Sequence, residues 1–212
     1  MKVYDVHAHS LAKSTDLSGF YMAHAISPFE VITALNKGKI SFVLVGAHGL
    51  GGWIGKPRAT EDVDVIVASR HLKKAVKTLL AAFDKLEAED LPVVIRLRHR
   101  ETQEVAIDVM KPNQELFREI FNHAHMVTSR GQAYRIPSLE MALAMKFAPM
   151  VSLYRKDIDK YQDAHDFGHI VVSNPAIDLK KLAELGDLVY PGGGKEIVGK
   201  VEQVRRGETL KL

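Results

Sequence analysis

The sequence predicts an α+β fold in which a small mixed β-sheet core is flanked by helices and followed by a C-terminal helical lobe. Three observations predict it. Short runs rich in valine and isoleucine, bounded by glycine, proline or polar turns, fill the first half: "ISFVLVG" at 40–46, "DVDVIVA" at 62–68, "VVIRLRHR" at 93–100 and "EVAIDVM" at 104–110. A segment with apolar residues at helical spacing separates the second run from the third. From Pro137 and Ser138 onward the pattern becomes helical. The implied divisions are an N-terminal extension (1–26), a core (27–136) and a helical lobe with its tail (137–212).

Taken in order, residues 1–26 mix short apolar and polar pieces with no sustained period. A helix then starts with Ser27 as N-cap, Pro28 at the first position and Glu30 behind it, and "FEVITALNK" carries it to Gly38. After the strand at 40–46, "AHGLGGWIGKP" reads as a glycine-rich loop feeding a short helix or turn. The strand at 62–68 leads to an amphipathic helix over 70–89. The runs at 93–100 and 104–110 are joined by a short polar turn, which makes a hairpin. A smaller hairpin over 125–136 turns at Arg130-Gly131. Helices follow in "SLEMALAMKFAPMVSLYRK", "YQDAHDFGHIVV" and "DLKKLAELG", and "YPGGGK" at 190–195 reads as a flexible loop.

At 212 residues the chain can bury a substantial core. It contains no cysteine, which excludes disulfides, thiolate metal sites and thiol catalysis. The net charge of +3 is too small to mark a nucleic-acid binder, although "RLRHR" (96–100) and "VRRGETLKL" (204–212) concentrate basic residues. No apolar run approaches the ~20 residues of a membrane helix, so a soluble cytoplasmic protein with no membrane contact is expected.

The informative segment is "RATEDVDVIV" (58–67), where two aspartates interrupt a valine-rich strand. Side chains alternate along a strand, so Asp62, Asp64 and Ile66 share one face and Val63, Val65 and Val67 the other. Burying unpaired carboxylates costs several kcal/mol, and neighbouring like charges raise each other's pKa. A cation must compensate, and Asp-x-Asp offers the hard oxygens that suit Mg²⁺ or Mn²⁺. In "EVAIDVM", Asp108 lies opposite Val105, Ile107 and Val109, and it completes a carboxylate triad if this strand pairs beside 62–68. Such a triad can hold two cations ~3.5–4 Å apart, the arrangement that clamps attacking and leaving oxygens in phosphoryl transfer.

"FVLVGAHGLGGWIGKPRATEDVDVIVA" resembles the core signature of the DNA polymerase beta-type nucleotidyltransferase superfamily: an apolar strand ending in Gly-Gly or Gly-Ser, a short helix, then Arg-x-Thr-x-Asp-x-Asp on the next strand. Gly46 matches the first glycine, Arg58 and Thr60 precede the pair Asp62 and Asp64, and Asp108 matches the third carboxylate. "SLEMALAMKFAPMVSLYRKDIDKYQDAHDF" is similar to the helical segment of the abortive-infection, type IV toxin-like nucleotidyltransferases, with Lys146, Asp163 and Asp166 at matching positions. The likeness spans roughly residues 29–170. Two positions depart from the pattern, Ala47 where Gly or Ser is usual and Gln162 where lysine is usual.

The resemblance implies an enzyme that transfers a nucleoside monophosphate from an NTP to an acceptor hydroxyl, with Mg²⁺ or Mn²⁺ on Asp62, Asp64 and Asp108. It assigns the triphosphate to Gly46, Ala47 and the loop around His48 and Gly49, with Arg58 bracing that loop, Thr60 at the nucleotide and Lys146 offsetting phosphate charge. An acceptor such as an RNA or a protein would be its partner, as would a cognate antitoxin if the toxin-like likeness extends that far. Ala47 favours a second reading, a degenerate, non-catalytic nucleotide- or RNA-binding member of the fold. A third reading starts from "YDVHAHS" (4–10), where His7 and His9 share one face of a strand and would serve a metal-dependent hydrolase. It lacks the further ligands and the repeated strand–helix units that such barrels need. "GGGK" at 192–195 lacks P-loop spacing, Trp53 reads as an anchor before a base-stacking residue, and His165 and Asp166, as helix neighbours, point apart.

Overall fold

Ser27 opens the core with a capping box: its hydroxyl accepts from the Phe29 N–H, and its own N–H donates to Glu30. This fixes the start of α2 (Pro28–Lys37), which buries Phe29, Val31, Ile32 and Leu35. The computed structural model describes residues 3–21, 25–55 and 60–211. They form two compact units, Met1–Gly52 with Lys56–Ile136, and Trp53–Gly55 with Pro137–Leu212.

In the first unit β1 (Phe42–Leu44), β2 (Val63–Val67), β3 (Leu86–Asp90), β4 (Val94–His99) and β5 (Val105–Met110) form one sheet in the order β1-β2-β5-β4-β3. Only the β2–β5 pairing is parallel. A parallel pair needs a long crossover, supplied here by α4 (Leu72–Ala82), β3 and β4. Val63, Val65, Val67, Ile107 and Val109 join α2 and the α4 residues Ala75 and Leu79 in the core cluster, which leaves Asp64 and Asp108 on the opposite face. A separate hairpin of β6 (Ala124–Ser129) and β7 (Gln132–Pro137) turns at Arg130-Gly131, and the short α5 (Glu115–Glu119) precedes it.

Three expectations are corrected. Residues 86–89, read as the end of a long helix, belong to the edge strand β3. Pairing Glu87 with Arg98 and Glu89 with Arg96 gives this helix-favouring sequence backbone partners and opposite charges across the strands. The N-terminal segment is a helix, α1 (Val3–Tyr21). Its buried face is His7, Ser10, Leu11 and Ser14, which has helical spacing but is mostly polar and so shows no hydrophobic period. His7 and His9 are therefore not on a strand face: two positions apart on a helix they diverge, with His7 buried and His9 exposed. "AHGLGGWI", read as a loop feeding a short helix or turn, is helical from Gly46 itself, as α3 (Gly46–Ile54).

The second unit consists of α6 (Leu139–Met150), α7 (Asp157–Ser173), α8 (Leu179–Asp187) and α9 (Gly193–Arg205). The run "GGGK", expected to be a flexible loop, begins α9, and the Asp187 carboxylate accepts from the Gly194 N–H. Trp53 is buried in this unit and donates to the Pro137 carbonyl oxygen at 3.0 Å, which anchors the indole. No helix among the described residues is long and apolar enough to cross a membrane.

The contact of α1 with α3 is close enough to test. A Cβ on Gly52 would stand 2.0 Å from Nδ1 of His7. Gly52→Ala is expected to destabilise the protein by about 1–3 kcal/mol, the usual cost of overpacking, measured by urea unfolding.

Candidate active site

The parallel register of β2 and β5 sets Asp64 directly beside Asp108, and Asp62 precedes β2 by one residue. Ligand oxygens of the three carboxylates lie within 4.8 Å of one another, the only group of three or more potential metal ligands among the described residues. All three are half-buried, so they lack the hydration that would let exposed carboxylates coexist.

The surroundings hold the triad in place. The Thr60 hydroxyl donates to Oδ1 of Asp62 at 2.9 Å. Thr60, expected at the nucleotide, thus acts first on a carboxylate. Arg96 on β4 pairs in register with Asp108, and its Nε lies 3.4 Å from Asp108 Oδ1. Burial raises the Asp108 pKa above the ordinary carboxylate range. Arg96 opposes that shift, and the charge of Asp62 adds to it. Asp108 Oδ1 is buried, and the 3.4 Å contact with Arg96 Nε is too loose for a well-formed hydrogen bond. An oxygen in that position, beside two more hard carboxylates, is what a divalent cation satisfies, so the residues present fit Mg²⁺ or Mn²⁺.

Gly46 lies against the triad. Its φ is +58°, and a Cβ there would fall 1.8 Å from Oδ2 of Asp64, so only glycine lets the backbone pass this close. The Val45 N–H donates to the Asp64 carbonyl oxygen at 2.9 Å, which ties the start of α3 to β2. The N–H groups of Gly46, Ala47 and His48 belong to the first turn of α3, where an α-helix provides no internal acceptor. Gly49 differs, because its N–H already bonds to the Val45 carbonyl oxygen. The His48 imidazole is buried, with Nδ1 3.1 Å from the Ser14 hydroxyl, so it faces α1.

Arg58 lies outside the described residues. Lys146, in the second unit, is not the solvated helix lysine that its position would ordinarily suggest. Its Nζ sits between Asp163 (3.0 Å) and Asp166 (2.7 Å), all three nearly buried, with Arg155 and Gln162 bonding to the same two carboxylates. The His7 pKa is lowered to about 4, chiefly by burial and further by His125. With its imidazole packed against Gly52, His7 is a packing residue, and the proposed pairing with His9 as a metal centre is overturned. Arg96 is the site residue that sequence reasoning missed. Its signal was the alternation in "VVIRLRH", which puts Arg96 on the polar face of a strand paired with 104–110.

Two measurements probe this arrangement. Thr60→Val removes the hydroxyl that orients Asp62 and is expected to weaken Mn²⁺ affinity about 10–100-fold, as loss of an outer-shell partner does, read by calorimetric titration. A raised Asp108 pKa means that the ionised carboxylate weakens the metal-free fold above that pKa, and that this cost fades as pH falls through it. Asp108→Asn should therefore raise the Tm of metal-free protein at pH 7 while reducing the rise in Tm that Mn²⁺ produces, both followed by thermal melts.

No family model matches the sequence, and no curated protein matches it. Solved structures do resemble the fold. The solution structure of the antibiotic-resistance factor ANT(2″)-Ia aligns with a TM-score of 0.51 at 11% identity, over 85% of this chain and 95% of that one. An antigenic nucleotidyltransferase-like protein from Paracoccidioides brasiliensis aligns with a TM-score of 0.48 at 18% identity, over 81% of this chain and 88% of that one. The lincosamide antibiotic adenylyltransferase LnuA, lincomycin-bound, aligns with a TM-score of 0.47 at 18% identity, over 67% and 94%. The likeness is one of architecture: this chain has an α+β fold like that of ANT(2″)-Ia, with an acidic triad on its sheet.

Proposed function

We propose that this chain is a metal-dependent nucleotidyltransferase that moves a nucleoside monophosphate from an NTP to an acceptor hydroxyl, releasing pyrophosphate. The observation that carries the reading is the convergence of Asp62, Asp64 and Asp108 at one point of the sheet, with Gly46 pressed against Asp64. When bound there, Mg²⁺ or Mn²⁺ supplies positive charge to the phosphates and to the leaving pyrophosphate. The first-turn N–H groups of α3, from Gly46, Ala47 and His48, donate to phosphate oxygens at the positive end of the helix. Thr60 keeps Asp62 turned toward the site. Asp108, whose pKa is raised by burial, is suited to accept the proton of the attacking hydroxyl at a carboxylate oxygen. Arg96 holds Asp108 in position. Lys146, already neutralised by Asp163 and Asp166, takes no separate step.

The abortive-infection, toxin-like subtype is the finer form of this proposal, with an RNA or protein acceptor, a cytoplasmic setting and a cognate antitoxin. It rests on the sequence likeness through Lys146, Asp163 and Asp166. Ala47 favours the second reading, a protein of the same fold that binds nucleotide or RNA without turnover, because alanine keeps the N–H donor but brings no hydroxyl to the phosphates.

Calorimetric titration of the four ribonucleoside triphosphates with Mg²⁺, on wild type and on Asp62→Ala/Asp64→Ala, tests both readings. Metal-dependent binding of at least one NTP is expected, with a loss in the double variant beyond the about 10–100-fold of an outer-shell change. Release of pyrophosphate by wild type supports the enzyme, and binding without release supports the second reading. No binding of any NTP removes both.

A further inference from the structure

The helical unit holds a second set of metal-ligating side chains that the carboxylate chemistry leaves unused. His165 and His169 lie one turn apart on α7 and therefore on one face. Their Nε2 atoms are 3.2 Å apart, with the rings inclined at 66°. Two nitrogens bound at about 2.0–2.1 Å to one tetrahedral cation stand about 3.3 Å apart, so the pair already has the bite of a chelate. His165 Nδ1 lies 3.9 Å from Oδ1 of Asp166, a buried carboxylate fixed by Lys146 and Gln162.

The pair also has room around it. It borders a groove of about 470 Å³ between α7 and residues 204–210, with Tyr161, Val172 and Leu210 among its walls. The His165 side chain is 65% exposed. A cation held by the two rings could complete its shell with water from the groove.

We propose that His165 and His169 form a bidentate site for a borderline divalent cation, Zn²⁺, Cu²⁺ or Ni²⁺. Imidazole nitrogens favour these ions, whereas the carboxylates of Asp62, Asp64 and Asp108 favour Mg²⁺ or Mn²⁺, so the chain carries two sites of opposite preference. Binding takes both Nε2 lone pairs, so the ring that donates in the Nε2–Nε2 contact moves its N–H to Nδ1 and no net proton is lost.

The test uses the full chain. Zn²⁺ affinity is measured against a chromophoric chelator, and Cu²⁺ is followed by electron paramagnetic resonance, whose nitrogen splitting counts ligating imidazoles. The proteins are wild type, His165→Ala, His169→Ala, His165→Gln and Asp62→Ala/Asp64→Ala, each checked by thermal melt. The histidine-bound Zn²⁺ should persist in the aspartate variant, whatever Zn²⁺ the carboxylates also take, and every histidine variant should lose about tenfold or more in that remaining affinity, at least the cost of an outer-shell change. The Cu²⁺ spectrum should show two nitrogens in wild type and fewer in the histidine variants. Zn²⁺ affinity unchanged in the histidine variants, loss confined to the aspartate variant, or a one-nitrogen spectrum in wild type would overturn the proposal. None of these results depends on NTP binding or transfer.

Discussion

The parallel pairing of β2 with β5 is the constraint on which the rest of the first unit depends, because it places Asp64 beside Asp108. Adjacent carboxylates repel, and partial burial removes the water that would screen them. The surrounding elements reduce that conflict. Arg96 comes from the neighbouring strand in register with Asp108, Thr60 bonds to Asp62, and the opposite face of the same strands is given entirely to apolar packing against α2 and α4. The valines between the aspartates are therefore as necessary as the aspartates, since they anchor the strand that carries them.

Charge compensation at Asp108 is incomplete. Arg96 offsets part of the repulsion, yet the Asp108 pKa stays raised and its Oδ1 makes no well-formed hydrogen bond. Native proteins rarely leave a buried carboxylate oxygen in that condition unless an ion or ligand completes it. The helical unit contrasts with this. The Lys146 ammonium is set between two buried aspartates, which in turn receive Arg155 and Gln162. One group is poised to take a cation, and the other already contains its own.

Legibility in the sequence followed the kind of signal each element carries. The strands at 62–68 and 104–110 alternate in polarity, so both their existence and the shared face of their aspartates could be read. The capping box at Ser27 and the turn at Arg130-Gly131 are local chemistry and were equally readable. Residues 86–90 were not, because "LEAED" favours a helix by composition and becomes a strand only by pairing with β4. Nor was α1, whose buried face of His7, Ser10, Leu11 and Ser14 is small and polar and packs against the glycines of α3.

By itself the sequence determined the apolar strands, the carboxylates set into them, the glycine beside them and the helical second half, since alternation, capping and backbone freedom act over a few residues. Only the tertiary structure decided that Asp108 stands in register with Asp64, that Arg96 answers it, that His48 faces α1 and that His165 meets His169 at chelating distance. Those facts depend on strand pairing and side-chain packing between segments, and no local preference encodes the distances at which they meet.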